Sequence, residues 1–143
     1  LATTALSLGN KNSKIFTVEG CANTIAVAKN ILETNNSATV EFINMEFEAY
    51  FKNTSFTNVF FDLIYFDGNH QKQATLYYFD KLLPTITNDA LWIFDDIHWS
   101  QEMEEAWKII QDHPKVTVTI DTFQWGFVFF RQEQPKEHFI IRV

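Results

Sequence analysis

Two groups of acid and imidazole side chains, each closing an apolar run, are the residues of this chain best suited to chemistry. The first is Asp67 with His70, at the end of VFFDLIYFDGNH, Val59 to His70. The second is Asp95, Asp96 and His98, at the end of ALWIFDDIH, Ala90 to His98. A carboxylate accepts hydrogen bonds or ligates a hard cation, and an imidazole, with an ordinary pKa of about 6.5, exchanges protons at working pH. His70 is therefore a candidate general base and Asp67 a candidate ligand contact. Asp95 and Asp96, joined by Asp67, would offer the oxygen donors that Mg²⁺ or Ca²⁺ prefers. His98 and Trp99 are candidates for touching a substrate. A third acid, Glu19, ends TVE and is followed by Gly20 and Cys21.

Strands must deliver these groups to a common edge. A run as apolar as Val59 to Phe66 reads as a strand buried on both faces, and Phe60, Phe61, Tyr65 and Phe66 within it read as core. Leu91 to Phe94 reads the same way. Lys14 to Glu19 and Ala38 to Ile43 are shorter strand signals rich in β-branched residues. Between them lie helical signals: Leu1 to Leu8 closed by Gly9, Ala22 to Glu33 stopped by Asn35 and Asn36, Glu46 to Lys52, and Gln71 to Leu83 stopped by Pro84. Ser100 can cap a further helix whose apolar stripe is Trp99, Met103, Ala106, Trp107 and Ile110. Val116 to Asp121 and Gly126 to Arg131 are too close for a crossover, so they form an antiparallel hairpin. His138 to Val143 can add an edge strand. Alternating strands and helices imply a mostly parallel sheet with helices on both faces. In such sheets ligands bind beyond the carboxyl ends of the strands, where Glu19, Asp67 and Asp95 stand.

This layout resembles the class I S-adenosylmethionine-dependent methyltransferases, and the small-molecule O-methyltransferases in particular. The resemblance rests on TVEGC, INMEFEAYF (Ile43 to Phe51), DLIYFDGNH, WIFDDIHW and the closing hairpin. It implies a three-layer αβα Rossmann-like sheet with one reversed strand near its end. It implies that Glu19 binds the ribose hydroxyls of the cofactor, with Gly20 beside it. Met45, Glu46 or Phe47 would border the adenine, and Asp67 would meet the methionine part. His70 would take the acceptor's proton as the methyl group moves. The family's first strand and its Gly-rich turn have no counterpart among the four glycines, Gly9, Gly20, Gly68 and Gly126. The chain is accordingly read as one partial methyltransferase domain, residues 1–143, lacking that strand. An edge left unpaired by its absence would invite a second copy, so a homodimer is expected.

Composition narrows the partners. Hydrophobic residues make up 46% of the 143, enough for a core without staples, and the net charge of -7 disfavours a nucleic-acid backbone. The one cysteine, Cys21, cannot form an internal disulfide, which suits a reducing cytoplasm. No apolar run approaches membrane-spanning length, so no membrane partner is expected, and the resemblance implies a small-molecule partner. Two other functions remain open at this point. A nicotinamide-dependent Rossmann enzyme would also use Glu19, but it needs a Gly-x-Gly-x-x-Gly turn and an all-parallel sheet. A non-catalytic truncated domain would bind no cofactor.

Overall fold

The computed structural model describes residues 2–33 and 39–142. The expected helix stop at Asn35 and Asn36 and the strand start at Ala38 lie outside the described residues, as do Leu1 and Val143. Two compact units divide the chain, Leu1–Ser55 and Phe56–Val143.

The first unit is built around a parallel pair. Helix α1 (Ala2–Gly9) precedes β1 (Lys14–Glu19), α2 (Ala22–Glu33), β2 (Thr39–Asn44) and α3 (Phe47–Asn53). β1 and β2 run in register from Lys14 opposite Thr39 to Glu19 opposite Asn44. α2 crosses from one strand to the other, as a parallel connection requires. Its apolar face buries Ile25 and Leu32, seven residues apart and so two turns apart on one stripe. Phe51 anchors α3 in the same way.

The second unit holds β3 (Leu63–Phe66), α4 (Lys72–Leu82), β4 (Leu91–Asp95), α5 (Gln101–Asp112), β5 (Val118–Asp121), β6 (Trp125–Phe129) and β7 (Glu137–Ile140). A single 3₁₀ turn, Leu83–Thr85, carries Pro84 and ends α4. The sheet order is β3-β4-β6-β5-β7. β6 is antiparallel to both β4 and β5, while the β3–β4 and β5–β7 pairs are parallel. β6 is thus the one reversed strand, as the short link from β5 predicts. Both units are mixed α/β, the first with a parallel strand pair and the second with a mostly parallel sheet.

Helices α4 and α5 pack their apolar stripes on one face of this sheet. Phe79 of α4 meets Trp92 at 5.5 Å between ring centroids, and Trp107 of α5 meets Phe94 at 6.3 Å. Trp92, Val128 and Ala106 are fully buried there, and truncating an aromatic so placed costs about 3–5 kcal/mol. The indole N–H groups of Trp92 and Trp107 have no hydrogen-bond partner among the described residues. The Ser100 hydroxyl caps α5 by accepting from the Met103 N–H at 3.2 Å, as expected.

Three expectations are corrected. β3 begins at Leu63, not Val59, because the preceding backbone is committed elsewhere. Asn58 adopts a left-handed φ of 58°, the Val59 N–H donates to Phe56, and the Phe61 N–H donates to Thr85 across the turn. β3 is also not buried on both faces: Leu63 is 39% exposed, and Phe60, ahead of the strand, is 64% exposed rather than core. Trp99 lies outside the α5 stripe, with 70% of its surface exposed. It precedes the cap, where helical periodicity does not yet apply.

Candidate functional site

In the first unit, Glu19 and Asn44 leave the sheet side by side, as the last residues of β1 and β2. The chain must then turn from β1 into α2 within two residues. The Glu19 carboxylate closes part of that turn itself, with Oε1 accepting the Cys21 N–H at 2.7 Å. The Asn44 amide closes the rest, donating through Nδ2 to the carbonyls of Glu19 and Gly20 at 2.9 Å each. The Met45 N–H adds a 3.2 Å bond to the same Glu19 carbonyl. Gly20 leaves its Cα open to the neighbouring loop. A Cβ there would collide with the Glu46 carboxyl group, coming within 2.6 Å of its Cδ. Glu46 stands at the N-cap of α3, yet its side chain does not cap that helix. Met45 is 37% exposed beside it, and Phe47 opens α3. Glu19, Gly20 and Glu46 therefore stand together at the ends of β1 and β2.

In the second unit, β3 and β4 deliver their acids to neighbouring strand ends. Beyond β3 the chain turns through Gly68 (φ 154°) and Asn69 (φ 52°), and beyond β4 through Asp96 (φ 54°). Left-handed backbone at non-glycine residues is uncommon and tends to gather where side-chain direction matters. These turns bring His70 and Asp96 within 3.8 Å (Nε2 to Oδ2) and put the Trp99 ring 6.5 Å from the imidazole.

A chain of hydrogen bonds runs behind this pair. The Tyr65 hydroxyl donates to Asp95 Oδ2 at 2.9 Å. Asp95 Oδ1 also accepts the Asp96 N–H at 3.1 Å. Partial burial, with the Asp95 bond next, pushes the Tyr65 hydroxyl well above its ordinary value. Asp67 is raised too, by partial burial first, then by the charges of Asp95 and Asp96 and a hydrogen bond with Asp95, while His70 opposes the shift.

His98 stands between two carboxylates. Its Nδ1 lies 3.0 Å from Glu104 and its Nε2 2.9 Å from Asp121, so both ring nitrogens are engaged. Asp121 is 5% exposed and also accepts from Arg142 Nη1 at 2.9 Å and from the Phe123 N–H at 2.8 Å. Burial alone would lower the His98 imidazole, but its bonds to Glu104 and Asp121 outweigh that and raise it. Burial alone would raise Asp121, but His98, the Phe123 N–H and Arg142 hold it below the usual carboxylate range. His98 is a strut that ties the loop after β4 to α5 through Glu104 and to the end of β5 through Asp121.

The expected cation site is not formed. Among the described residues no group of three or more His, Cys, Asp or Glu side chains could hold a metal ion. Asp95 is committed to Tyr65 and the Asp96 N–H, and Asp96 faces His70. A hard cation needs carboxylates that converge with open lone pairs.

Tyr65, Asn44 and Asp121 were missed as polar participants by sequence reasoning. A period-two reading puts Tyr65 on the same strand face as Asp67, which could have marked it. Asn44 and Asp121 carry no such signal, because their partners are far along the chain.

The family described as "Methyltransferase domain" matches residues 1–97. Among solved structures, a Klebsiella pneumoniae protein described as a "putative O-methyltransferase" has a similar fold. Its TM-score is 0.63 at 15% identity, with 83% of this chain and 62% of that protein covered. No curated protein matches significantly. No helix among the described residues is long and apolar enough to cross a membrane.

Proposed function

The chain belongs to the methyltransferase-domain family, and from that premise we propose that it transfers a methyl group from S-adenosylmethionine to a hydroxyl oxygen of a small-molecule acceptor. The observation that carries the cofactor reading is the turn after β1. There a carboxylate, a bare glycine Cα and a second acid meet at the ends of two parallel strands. A carboxylate can accept both hydrogens of a cis-diol. Glu19 would hold the ribose, with Gly20, Met45, Glu46 and Phe47 around the nucleoside. Asp67 would meet the amino-acid end.

The bound cofactor supplies an electrophilic methyl carbon on a sulfonium. The protein's contribution is to orient the acceptor and to remove its proton. With Asp96 on the Nε2 side of His70, the imidazole takes the hydroxyl proton at Nδ1. Asp96 steadies the imidazolium so formed, at a separation that a small ring movement would close. Trp99, exposed beside His70, offers a flat wall for an aromatic acceptor. Isothermal titration of the chain with S-adenosylmethionine is the test. Saturable binding that Glu19→Gln weakens is expected, and absence of binding at about 1 mM, a weak interaction of roughly 4 kcal/mol, would overturn the reading.

A further inference from the structure

The two bonds from Asn44 point to a role that neither the family match nor Glu19 explains. A primary amide has two donor hydrogens, and here both meet backbone carbonyls, those of Glu19 and Gly20, at 2.9 Å each. These are consecutive carbonyls of the peptide that carries the ribose-binding carboxylate. The Glu19 carbonyl is held a second time by the Met45 N–H. On its other side the Glu19 side chain is folded back onto the Cys21 N–H. The register explains the geometry: Asn44 stands directly opposite Glu19 at the last rung of the ladder, so a short side chain can reach past the strand end. Beyond this rung the turn has no further strand pairing, and Gly20 adds no side chain to stiffen it.

We infer that Asn44 is a positioning residue for cofactor binding, clamping the Glu19–Gly20 peptide so that the Glu19 carboxylate is presented in one orientation. The inference rests on the ribose role proposed for Glu19. It is specific about chemistry: the position needs two donors on one atom. Aspartate, of nearly the same shape, would set a charged oxygen against two carbonyl oxygens, and alanine would leave both carbonyls to water.

The test measures binding rather than turnover, by calorimetry of the 143-residue chain with S-adenosylhomocysteine and with its 2′-deoxy counterpart. Asn44→Ala and Asn44→Asp should each weaken S-adenosylhomocysteine about tenfold, the scale of one lost charge-assisted hydrogen bond. The 2′-deoxy ligand, which cannot offer Glu19 a diol, should lose much less. In a Glu19→Gln background the Asn44 substitutions should add almost nothing, because the clamp acts through Glu19. Should wild type fail to bind, the ribose reading fails with it. If wild type binds and Glu19→Gln weakens it, but the Asn44 variants bind normally or their losses add fully to that of Glu19→Gln, the clamp is overturned and the ribose reading stands. Circular dichroism checks that each variant is folded, and Asn44→Ser, which keeps one donor, should fall between wild type and Asn44→Ala.

Discussion

Asp121 is the residue whose replacement tests the strut behind the candidate site most sharply. Its carboxylate is 5% exposed and accepts from His98 Nε2, Arg142 Nη1 and the Phe123 N–H. Asp121→Ala strands these donors unequally. Arg142 keeps its bonds to the carbonyls of Asp121 and Ile141, and its side chain is half-exposed, so its loss is small. The Phe123 N–H belongs to an exposed residue and can rehydrate. His98 loses a charge-assisted bond in a half-buried setting, worth about 1.5–3 kcal/mol. The total should be about 2–4 kcal/mol of stability in urea unfolding near neutral pH. Asp121→Asn is the informative control. It preserves shape, and an amide N–H facing Nε2 favours a neutral imidazole whose Nδ1–H still donates to Glu104. In wild type the His98 value is raised, so its contribution is complete below the ordinary imidazole value and is lost as pH rises through the raised one. The Asp121 value is lowered, so its contribution is present above the ordinary carboxylate value and is lost as acid titrates it. Stability from this network therefore peaks in mildly acidic solution. Between about pH 6 and pH 9 wild type should lose stability at His98, and Asp121→Asn should lose less. An Asp121→Ala protein within about 0.5 kcal/mol of wild type, or an identical pH slope in Asp121→Asn, would refute the reasoning.

Three further outcomes follow from the geometry. His70→Gln should lower methyl-transfer turnover by about 10²- to 10⁴-fold while cofactor affinity in calorimetry stays unchanged; full turnover would remove His70 as the base. Gly126→Ala would set a Cβ 2.6 Å from Trp107 Cη2 and Cζ3, and overpacking of about 1–3 kcal/mol should exceed the entropic gain of about 0.4–1 kcal/mol. Trp107→Phe should recover part of that loss in the double variant, read in denaturant unfolding. Asp67→Asn should flatten the stability profile between acid and neutral pH, because an acid raised by burial and neighbouring carboxylates destabilises the fold as it ionises. A profile unchanged from wild type would show that Asp67 is not so placed.

The order of elements was legible in the sequence, and for local reasons. Ala22 to Glu33 declares its helix through apolar spacing, Ser100 its cap through side-chain chemistry, and the four residues after Asp121 their hairpin through length alone. The acids at strand ends were legible too, since an apolar run must stop where the sheet stops. Only the tertiary structure decided what those acids meet. Asp95 went to Tyr65, 30 positions away, and His98 went to Asp121, 23 positions away, which leaves no described group able to hold a cation. Asn44 reached Glu19 across 25 positions because the strand register set them side by side. Propensity and periodicity act over a few residues, so they fix where chemistry can stand. Hydrogen-bond partners are chosen by distance in space, and that is set only when the strands have paired.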